Sequence, residues 1–319
     1  MMENGEQFLQ VDTNIYNNID GNRIIIFGTT DGLQFLTNCD DWFMDGTFDV
    51  APPQFAQLYT VHGLRADHHI IGCYALLRHK NRETYVRLLE EVLRLTNGVS
   101  PETVMIDFEQ ACIAALAVVF PDTLVYGCLF HLSQSVFRNV QVHGLQEEYL
   151  NNGEFRMNIR MMISLAFVPR DDVIQSFEAL SEHCIGNEQV ILDYFETNYI
   201  GEFRRGRRRD PLFPHVLWNI HRRVIDDLPR TTNMLEGWHK QFATSVSCAH
   251  PTIWKFVKVL RKDAGVQLVR IAHFVAGRPP TQQKRVYRDL NERVKTIVND
   301  YGNRNIIEFL RGIQYNLTE

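Results

Sequence analysis

Short apolar runs with a two-residue alternation dominate the first 130 residues or so, and this period is typical of β-strands. Strands are predicted over residues 23–27, 42–50, 57–63, 70–77, 103–107 and 123–126. The strands over 42–50, 57–63 and 70–77 follow one another with short connections, which favours an antiparallel meander. Residues 1–22 are polar and rich in asparagine, and we expect them to form a frayed lead-in.

The apolar period changes to three or four residues from Glu83 onward, as in amphipathic helices. Helices are predicted over residues 83–96, 108–120, 128–140, 154–167, 171–184, 188–199, 215–226, 233–246, 252–275, 283–300 and 305–315. Because strands alternate with helices between residues 70 and 126, parallel strands should join the meander. The sequence therefore predicts an α/β fold with a mixed sheet, followed by a large all-helical region.

Composition narrows the class of protein. The chain has 319 residues, of which 45% are hydrophobic and 22% charged, as expected of a globular protein. Neither a membrane span nor a signal peptide is visible, and the six cysteines have no paired spacing, so we expect an intracellular protein outside any membrane. The net charge of -5 gives no sign of nucleic-acid binding. The distribution of charge is more informative, because one run of arginines spans residues 204–209.

Asp45 is a carboxylate in the middle of an apolar predicted strand. Alternation places Trp42 and Met44 on one face of that strand, and Phe43 and Asp45 on the other. A carboxylate on a central strand is costly to desolvate unless a cation meets it, and a hard divalent metal is a common solution. The alternative is that Asp45 only ends the strand and caps a turn at Gly46.

Two further acids are candidates for the same site. Asp107 ends the predicted strand over 103–107, and two carboxylates on adjacent strands can share a pair of metal ions ~3.5–4 Å apart. Glu236 begins the helix over 233–246, with Asn233 as a candidate N-cap. The alternative for Glu236 is a capping-box residue, three positions after Asn233.

Four segments of the chain together resemble the Mutator-like element (MULE) transposase domain. They are WFMDGTFDVAPPQFAQLYTVHG at 42–63, VMIDFEQA at 104–111, GCLFHLSQS at 127–135, and RRGRRRDPLFPHVLWNIHRR through LPRTTNMLEGWHKQF at 204–242. The resemblance extends from about Arg23 through the C-terminal region. It implies an RNase H-like fold with a helical insertion before the third acid, and a metal-dependent DDE chemistry that cuts and rejoins DNA.

The family's acids fall on Asp45 of DGTF, Asp107 of IDFE and Glu236 of NMLEGWH. Their spacings are 107 − 45 = 62 and 236 − 107 = 129 residues, and the helical insertion occupies the second gap. The resemblance implies that these three residues are catalytic and hold two Mg²⁺ or Mn²⁺ ions. Asp49 and Glu109, called the secondary acids here, are then expected not to belong to the catalytic set, although Glu109 is a candidate to support a metal indirectly.

Other residues match the family's pattern around these acids. Cys128 and His131 match its C-x-x-H, for which we expect packing or hydrogen bonding near the site rather than a structural zinc. Of two asparagines that the family carries before the glutamate, Asn233 is present and Thr232 replaces the other. His239 is a candidate contact to DNA or phosphate. Trp238 has the same candidate role, or is a core anchor.

The arginine run has two interpretations. Its members, which we expect to bind DNA phosphates without reading sequence, are Arg204, Arg205, Arg207, Arg208 and Arg209. The alternative is a solvated loop, which is the commoner fate of a charge run.

The resemblance also divides the chain and gives it partners. We expect a lead-in over 1–22, a first core segment over 23–140, a helical insertion over 141–228, a return to the core over 229–250, and C-terminal helices over 251–319. The implied partners are DNA at the ends of the mobile segment and at the target, with no small-molecule substrate, in the nucleus. A homodimer through the helices after Pro280 is a further candidate, although no heptad repeat supports it.

Two other functions stay open from the sequence. No Cys and His ligand set precedes Arg23, whereas family members commonly carry a zinc-binding recognition module there. The chain is then a transposase, or a transposase-derived nuclear DNA-binding or regulatory protein that is catalytically silent. A nuclease of the same fold that acts on RNA–DNA hybrids is disfavoured by the long helical insertion.

Overall fold

A seven-stranded mixed sheet organises the first of two compact units in the computed structural model, which describes residues 1–2, 5–13, 21–280 and 284–317. The first unit comprises residues 1–125 and 232–281, and the second comprises 126–231 and 282–319. In chain order the strands of the sheet are β1 (Leu9–Asp12), β2 (Ile24–Phe27), β3 (Asp41–Thr47), β4 (Gln57–Arg65), β5 (His68–Leu77), β6 (Thr103–Ile106) and β7 (Leu124–Gly127).

The strand order β1-β2-β5-β4-β3-β6-β7 contains the predicted meander. Strands β3, β4 and β5 pair antiparallel, and β3 pairs parallel with β6. The prediction of a mixed α/β sheet is therefore confirmed. Nearly every residue of β4 and β5 is buried, because both faces of the sheet are covered by helices.

Fourteen α-helices are present in the described ranges. They are α1 (Thr30–Thr37), α2 (Arg82–Leu95), α3 (Gln110–Val119), α4 (Leu129–Val142), α5 (Gln146–Asn151), α6 (Gly153–Ser164), α7 (Val173–His183), α8 (Gln189–Phe195), α9 (His215–Trp218), α10 (His221–Ile225), α11 (Asn233–Val246), α12 (Ile253–Val275), α13 (Arg285–Asn299) and α14 (Ile306–Gln314). A π-helical turn, Glu196–Ile200, extends α8. The helices predicted over 233–246 and 252–275 agree with α11 and α12 to within one residue.

A separate hydrophobic core lies on each face of the sheet. Helices α1, α2 and α3 cover one face, where Trp42 and Met44 of β3 pack among their apolar side chains. Helices α11 and α12 cover the other face, where Trp238 and Phe256 pack against Leu58 of β4. Burial of a large apolar side chain stabilises the fold by ~1.5–3 kcal/mol, so each helix is held mainly by its inward stripe.

Side-chain caps fix the starts of several helices. The Thr29 hydroxyl accepts a hydrogen bond from Gly32 N–H at 3.0 Å, and the Asn81 amide oxygen accepts one from Thr84 N–H at 3.0 Å. Each such cap stabilises its helix by about 1 kcal/mol. These caps set where α1 and α2 begin.

The second unit is helical with one small hairpin. Its aromatic centre includes Phe195, Tyr199 and Trp218, whose rings lie 4.9 to 6.1 Å apart by their centroids. Helix α14 packs on α6 and α7. The hairpin joins β8 (Phe203–Arg204) to β9 (Arg207–Arg208).

Two elements at the N-terminal end differ from the prediction. Strand β1 pairs with β2, so the predicted frayed lead-in is wrong at Leu9–Asp12. Helix α1 begins at Thr30, in a stretch for which the sequence predicts neither a helix nor a strand. Position 32 of this helix requires glycine, because a Cβ there would lie 2.9 Å from Thr29 Oγ1 and 3.1 Å from Gly72 O. The asparagine-rich part of the lead-in, residues 14–20, lies outside the described residues, as does the predicted helix start at 283.

The boundaries of the two units differ from the domain boundaries that the sequence predicts. The first unit ends at residue 125 and resumes at 232, whereas the predicted core ends at 140 and resumes at 229. Helix α12 belongs to the first unit, while α13 and α14 belong to the second. In the described ranges, we find no helix with the length and apolar character to cross a bilayer.

Candidate active site

Asp45 lies in β3 with its side chain on the α11 face of the sheet. It is directly opposite Thr60 of β4 and is 8% exposed. Its Oδ1 accepts a hydrogen bond from the N–H of Gly46 at 2.8 Å. Strand β3 continues to Thr47, so the alternative that Asp45 merely ends the strand is wrong.

Asp107 follows β6 at the position level with Asp45. The parallel register pairs each residue of β3 with the residue 62 positions later, as Asp41 with Thr103 (103 − 41 = 62) and Phe43 with Met105. Asp45 and Asp107 have the same offset, and neighbouring strands lie ~4.8 Å apart. Asp107 is half-buried, and its Oδ1 accepts a hydrogen bond from Glu109 N–H at 3.1 Å.

Glu236 projects from the first turn of α11 and is half-buried. Thr232 is the N-cap of this helix, so the prediction of Asn233 as N-cap is wrong by one residue. Glu236 is then the fourth helical residue, whereas a capping box needs its acid at the third. The capping-box alternative therefore fails. Burial raises the pKa of Glu236, and the charge of Lys240 opposes that rise.

The carboxylates act on one another through space. The pKa of Asp45 is raised to about 7, chiefly by burial, then by the negative charge of Asp107, with smaller contributions from Glu236 and Glu109. The Gly46 N–H opposes this rise. Acids that are up to 191 residues apart in sequence (236 − 45 = 191) thus lie within electrostatic range of one buried carboxyl. Like charges held together at a buried position favour a cation between them.

The donor chemistry fits a hard divalent ion, since carboxylate oxygens are the ligands that Mg²⁺ and Mn²⁺ prefer. The side chains are not closed around a common point. Within the described ranges, no three or more His, Cys, Asp and Glu side chains form a ready ligand cluster.

Glu109 makes more contacts in this region than the sequence analysis predicts for a secondary acid. It is the N-cap residue of α3, and its Oε2 accepts a hydrogen bond from the Tyr85 hydroxyl at 2.7 Å. That hydroxyl also accepts one from Gln57 Nε2 at 2.8 Å, and Lys80 Nζ lies 4.0 Å from Glu109 Oε1. Asp49, the other secondary acid, is exposed.

Gly46 and Gln57 show how closely the strands are packed beside Asp45. A Cβ on Gly46 would lie 2.4 Å from Gln57 Oε1 and 3.2 Å from the ring of Tyr59. Glycine is therefore required after the carboxylate if Gln57 is to reach Tyr85. Sequence reasoning missed Gln57 and Tyr85, because a buried glutamine in a strand and an apolar-stripe tyrosine in a helix carry no motif.

His239 lies beside the carboxylate of Asp45. Its Nδ1 is 3.7 Å from Asp45 Oδ2, and the ring is half-buried. Behind it, His62 Nε2 hydrogen-bonds the Thr60 hydroxyl at 2.8 Å and stacks on His69 at 4.8 Å between ring centroids. Burial lowers the pKa of His62 well below its usual range and that of His69 to about 4, which keeps both rings neutral.

Trp238 is a core anchor. It is 7% exposed, its ring stacks on Phe242 at 4.9 Å, and its Nε1 donates a hydrogen bond to Asp263 Oδ1 at 3.0 Å. Tyr74 donates a hydrogen bond to the other oxygen of Asp263 at 2.5 Å. Of the two interpretations that the sequence left open for Trp238, the structure shows the second.

Cys128 and His131 belong to the second unit. Cys128 is fully buried and is the N-cap residue of α4, while His131 lies in the first turn of that helix. Helix α4 begins at Leu129, so the helix predicted over 128–140 begins one residue later than expected. Asn233, the remaining residue of the predicted supporting group, is exposed at the start of α11.

The arginine run forms the β8–β9 hairpin rather than a loop. Arg205 and Gly206 both have positive φ, 53° and 79°, as the central residues of a tight hairpin turn require. Arg208 points inward to Glu178 and Glu196, at 2.6 and 2.7 Å, and Arg204 pairs with Glu202 at 2.6 Å. The exposed arginines for which the structure gives no ion pair are Arg205, Arg207 and Arg209.

Comparison with known families gives one match. Residues 42–135 match the family model of the MULE transposase domain. The matched segment is less than a third of the chain and includes Asp45, Asp107, Cys128 and His131, but ends before Glu236. A search of curated proteins finds no match.

Proposed function

We propose that this chain is a DDE-type transposase that cuts DNA phosphodiesters and joins the freed 3′-hydroxyl to target DNA. The observation that carries the proposal is that Asp45 and Asp107 stand at matching positions on neighbouring strands, with Glu236 near enough to help raise the pKa of Asp45. The match of residues 42–135 to a transposase domain supports it. The sheet order β5-β4-β3-β6-β7, with an antiparallel meander beside a parallel β3–β6 pair, supports an RNase H-like fold.

In this proposal Asp45, Asp107 and Glu236 hold two Mg²⁺ or Mn²⁺ ions. When bound, such ions neutralise charge on a phosphodiester and make a water or hydroxyl more nucleophilic. The chain itself orients the ligands. Backbone N–H groups engage Oδ1 of Asp45 and of Asp107, so each carboxylate keeps its second oxygen for other contacts.

Neighbouring side chains hold this arrangement in place. Tyr85 fixes Glu109 beside Asp107, and His239 borders the second oxygen of Asp45. The neutral His62 and its hydrogen bond to Thr60 support β4 behind Asp45 without adding charge.

DNA at the ends of the mobile segment and at the target is the proposed partner, in the nucleus. Arg205, Arg207 and Arg209 are the exposed members of the arginine run for which the described residues give no ion pair, and they are the proposed contacts to phosphates. A salt dependence of DNA binding that stays unchanged when these three are replaced by alanine would instead favour a solvated hairpin.

The test is strand cleavage of labelled duplex DNA with Mg²⁺ or Mn²⁺, comparing wild type with Asp45→Asn, Asp107→Asn and Glu236→Gln. We expect each variant to remain folded and to lose cleavage, and to lose the rise in melting temperature that Mn²⁺ gives the wild type. Asp49→Asn is the matched control, because this acid lies four residues from Asp45 and is exposed. Retained Mg²⁺-dependent nicking by Asp45→Asn would refute the assignment.

A wild-type protein that binds DNA but neither responds to Mn²⁺ nor cleaves would support the other function, that of a catalytically silent nuclear protein derived from a transposase.

A further inference from the structure

Helix α12 presents one face to the core and a very different one to solvent. Its buried residues recur every three or four positions and pack on the sheet; they are Phe256, Leu260, Ala264, Gln267 and Ile271. The opposite face is defined by Trp254, Lys255, Lys258, Lys262, Gly265, Val266, Val269 and Arg270, and is called here the α12 cationic face.

The charge of this face has one sign. Four of the residues are cationic, and the acid of the helix, Asp263, is turned to Trp238 and Tyr74. In the part of the chain that the structure describes, no carboxylate pairs with Lys258 or Lys262. These two lysines are four residues apart, so they stand on the same side of the helix with a rise of ~6 Å between them.

Trp254 adds an aromatic surface to these cations. It is 83% exposed, whereas the other three tryptophans of the chain are at most 7% exposed. An exposed tryptophan contributes little to folding, so its position needs another explanation. Proteins that bind single-stranded nucleic acid combine a row of cations, which contact the backbone, with aromatic rings on which the bases stack.

Gly265 lies in the middle of the same face. Glycine inside a helix costs ~0.5–1 kcal/mol relative to alanine. Packing does not require it here, because nothing lies within 4 Å of the position that its Cβ would take. A side-chain-free patch on a cationic helix allows a phosphate backbone to approach the helix closely.

The α12 cationic face adjoins one end of the helix that carries Glu236. On α11, Glu236, Lys240 and Thr244 succeed one another at four-residue spacing and therefore share one side of the helix. At the end of α11, Lys255 Nζ contacts Ser247 Oγ at 3.3 Å and Cys248 Sγ at 3.2 Å. Lys255 thus links the α12 cationic face to α11.

We propose that the α12 cationic face binds the phosphodiester backbone of a nucleic-acid strand, with Trp254 stacked on an unpaired base. This deepens the proposed function, because it gives the substrate of that function a binding surface within the first unit. Charge complementarity identifies the occupant. Lys255, Lys258 and Lys262 have no acid on their side of α12, and such a group of cations fits a polyanion.

The experiment measures binding of a fluorescently labelled single-stranded oligonucleotide to the full chain in EDTA. Binding in EDTA separates this surface from catalysis, since loss of cleavage in Asp45→Asn tests the proposed function alone. We expect Lys258→Gln with Lys262→Gln to weaken binding and to reduce the slope of log affinity against log salt by about 1.4, since each contact to a single strand contributes about 0.7. Arg82→Gln with Arg94→Gln is the matched control, since it removes the same charge from α2 on the opposite face of the sheet.

Two single variants test the geometry. We expect Trp254→Ala to weaken binding of the single strand more than of a duplex, and Trp254→Phe to restore most of it, since phenylalanine keeps a stacking face. We expect Gly265→Ala to raise the melting temperature and yet weaken binding, because the added methyl group favours the helix but obstructs the strand.

Several results would overturn the proposal. One is equal weakening of binding by the α12 and α2 double variants. Another is unchanged affinity in the α12 double variant, or in both Trp254→Ala and Gly265→Ala. Binding of anionic vesicles in place of the oligonucleotide, or a dimer that the α12 variants dissociate while oligonucleotide affinity stays unchanged, would assign this face to a membrane or to a second copy of the chain.

Discussion

At the scale of the residue, Asp45 connects the stability of the protein with its proposed chemistry. Its pKa is raised from the ordinary 3.8 to about 7. The folded protein therefore holds this proton more tightly than the unfolded chain. Stability from Asp45 is fully present below pH 4 and is lost as the pH rises through 7.

We expect the metal-free wild type to lose stability between about pH 4 and pH 7 more steeply than Asp45→Asn does, because the amide cannot ionise. Thermal melts in EDTA across this range measure the effect as the difference between the two proteins. Asp49→Asn should keep the wild-type slope. Identical slopes for wild type and Asp45→Asn would show that Asp45 does not carry the shift.

Tyr85 gives a second prediction at this scale. Its hydroxyl bonds both Gln57 and Glu109, so Tyr85→Phe leaves two polar groups without that partner. We expect a loss of about 1–3 kcal/mol in the free energy of unfolding, measured by urea denaturation. Tyr287→Phe is the control, since Tyr287 is 50% exposed. A loss no larger than that of the control would mean that this network does not stabilise the fold.

At the scale of the element, the β8–β9 hairpin separates two roles within one arginine run. Arg208 joins Glu178 of α7 to Glu196 beyond α8 and is the least exposed member of the run. We expect Arg208→Ala to lower the free energy of unfolding by about 1–3 kcal/mol, because the half-buried carboxylate of Glu196 and the exposed carboxylate of Glu178 both lose their cation. Arg207→Ala is the matched control and should leave stability within ~0.5 kcal/mol.

DNA affinity should rank these variants the other way. Arg207→Ala removes an exposed cation and should weaken binding, while a folded Arg208→Ala protein at low temperature should bind nearly as well as the wild type. An Arg208→Ala protein as stable as Arg207→Ala would show that the inward contacts contribute little.

The sequence predicts an element best where its hydrophobic pattern repeats over many residues. The 14-residue α11 and the 23-residue α12 have clear apolar stripes, and the meander has strong alternation. Helix α1 was missed because its eight residues carry only Leu33, Phe35 and Leu36 as an apolar signal, directly after two glycines, Gly28 and Gly32, of a kind typical of turns. Its stability comes from packing on β5, which no local pattern reveals.

Part of the candidate site can also be predicted from the sequence. Asp45 and Asp107 are 62 residues apart, which is also the offset between paired residues of β3 and β6. A motif match that includes both acids therefore also implies that they lie side by side. The contribution of Gln57, Tyr85 and Glu109 depends on hydrogen bonds across three elements. Such contacts have no sequence signature, and only the fold brings them together.

At the scale of the whole molecule, each unit is assembled from two stretches of chain. Helix α14 packs on α6 and α7, with Phe309, Leu310 and Ile313 buried. We expect a chain that ends at residue 280 to lose stability in the second unit. Hydrogen exchange should report this as faster exchange in α6, with smaller changes in β4.

A full-length chain with Val286→Ala and Tyr287→Ala is the control, because both side chains are at least half exposed and leave α14 in place. Equal acceleration of exchange in α6 and β4 of the shortened chain would contradict the assignment of α14 to the second unit.

The first unit is assembled from two distant stretches of chain, and this affects how it folds during synthesis. Residues of the sheet such as Phe27, Leu58 and Tyr74 are covered by α11 and α12, which leave the ribosome more than 150 residues later. At about 5–20 residues per second, synthesis of the intervening chain takes roughly 8 to 30 s. One side of the nascent sheet stays bare for that time, so we expect this protein to depend on chaperones that shield apolar surface during translation.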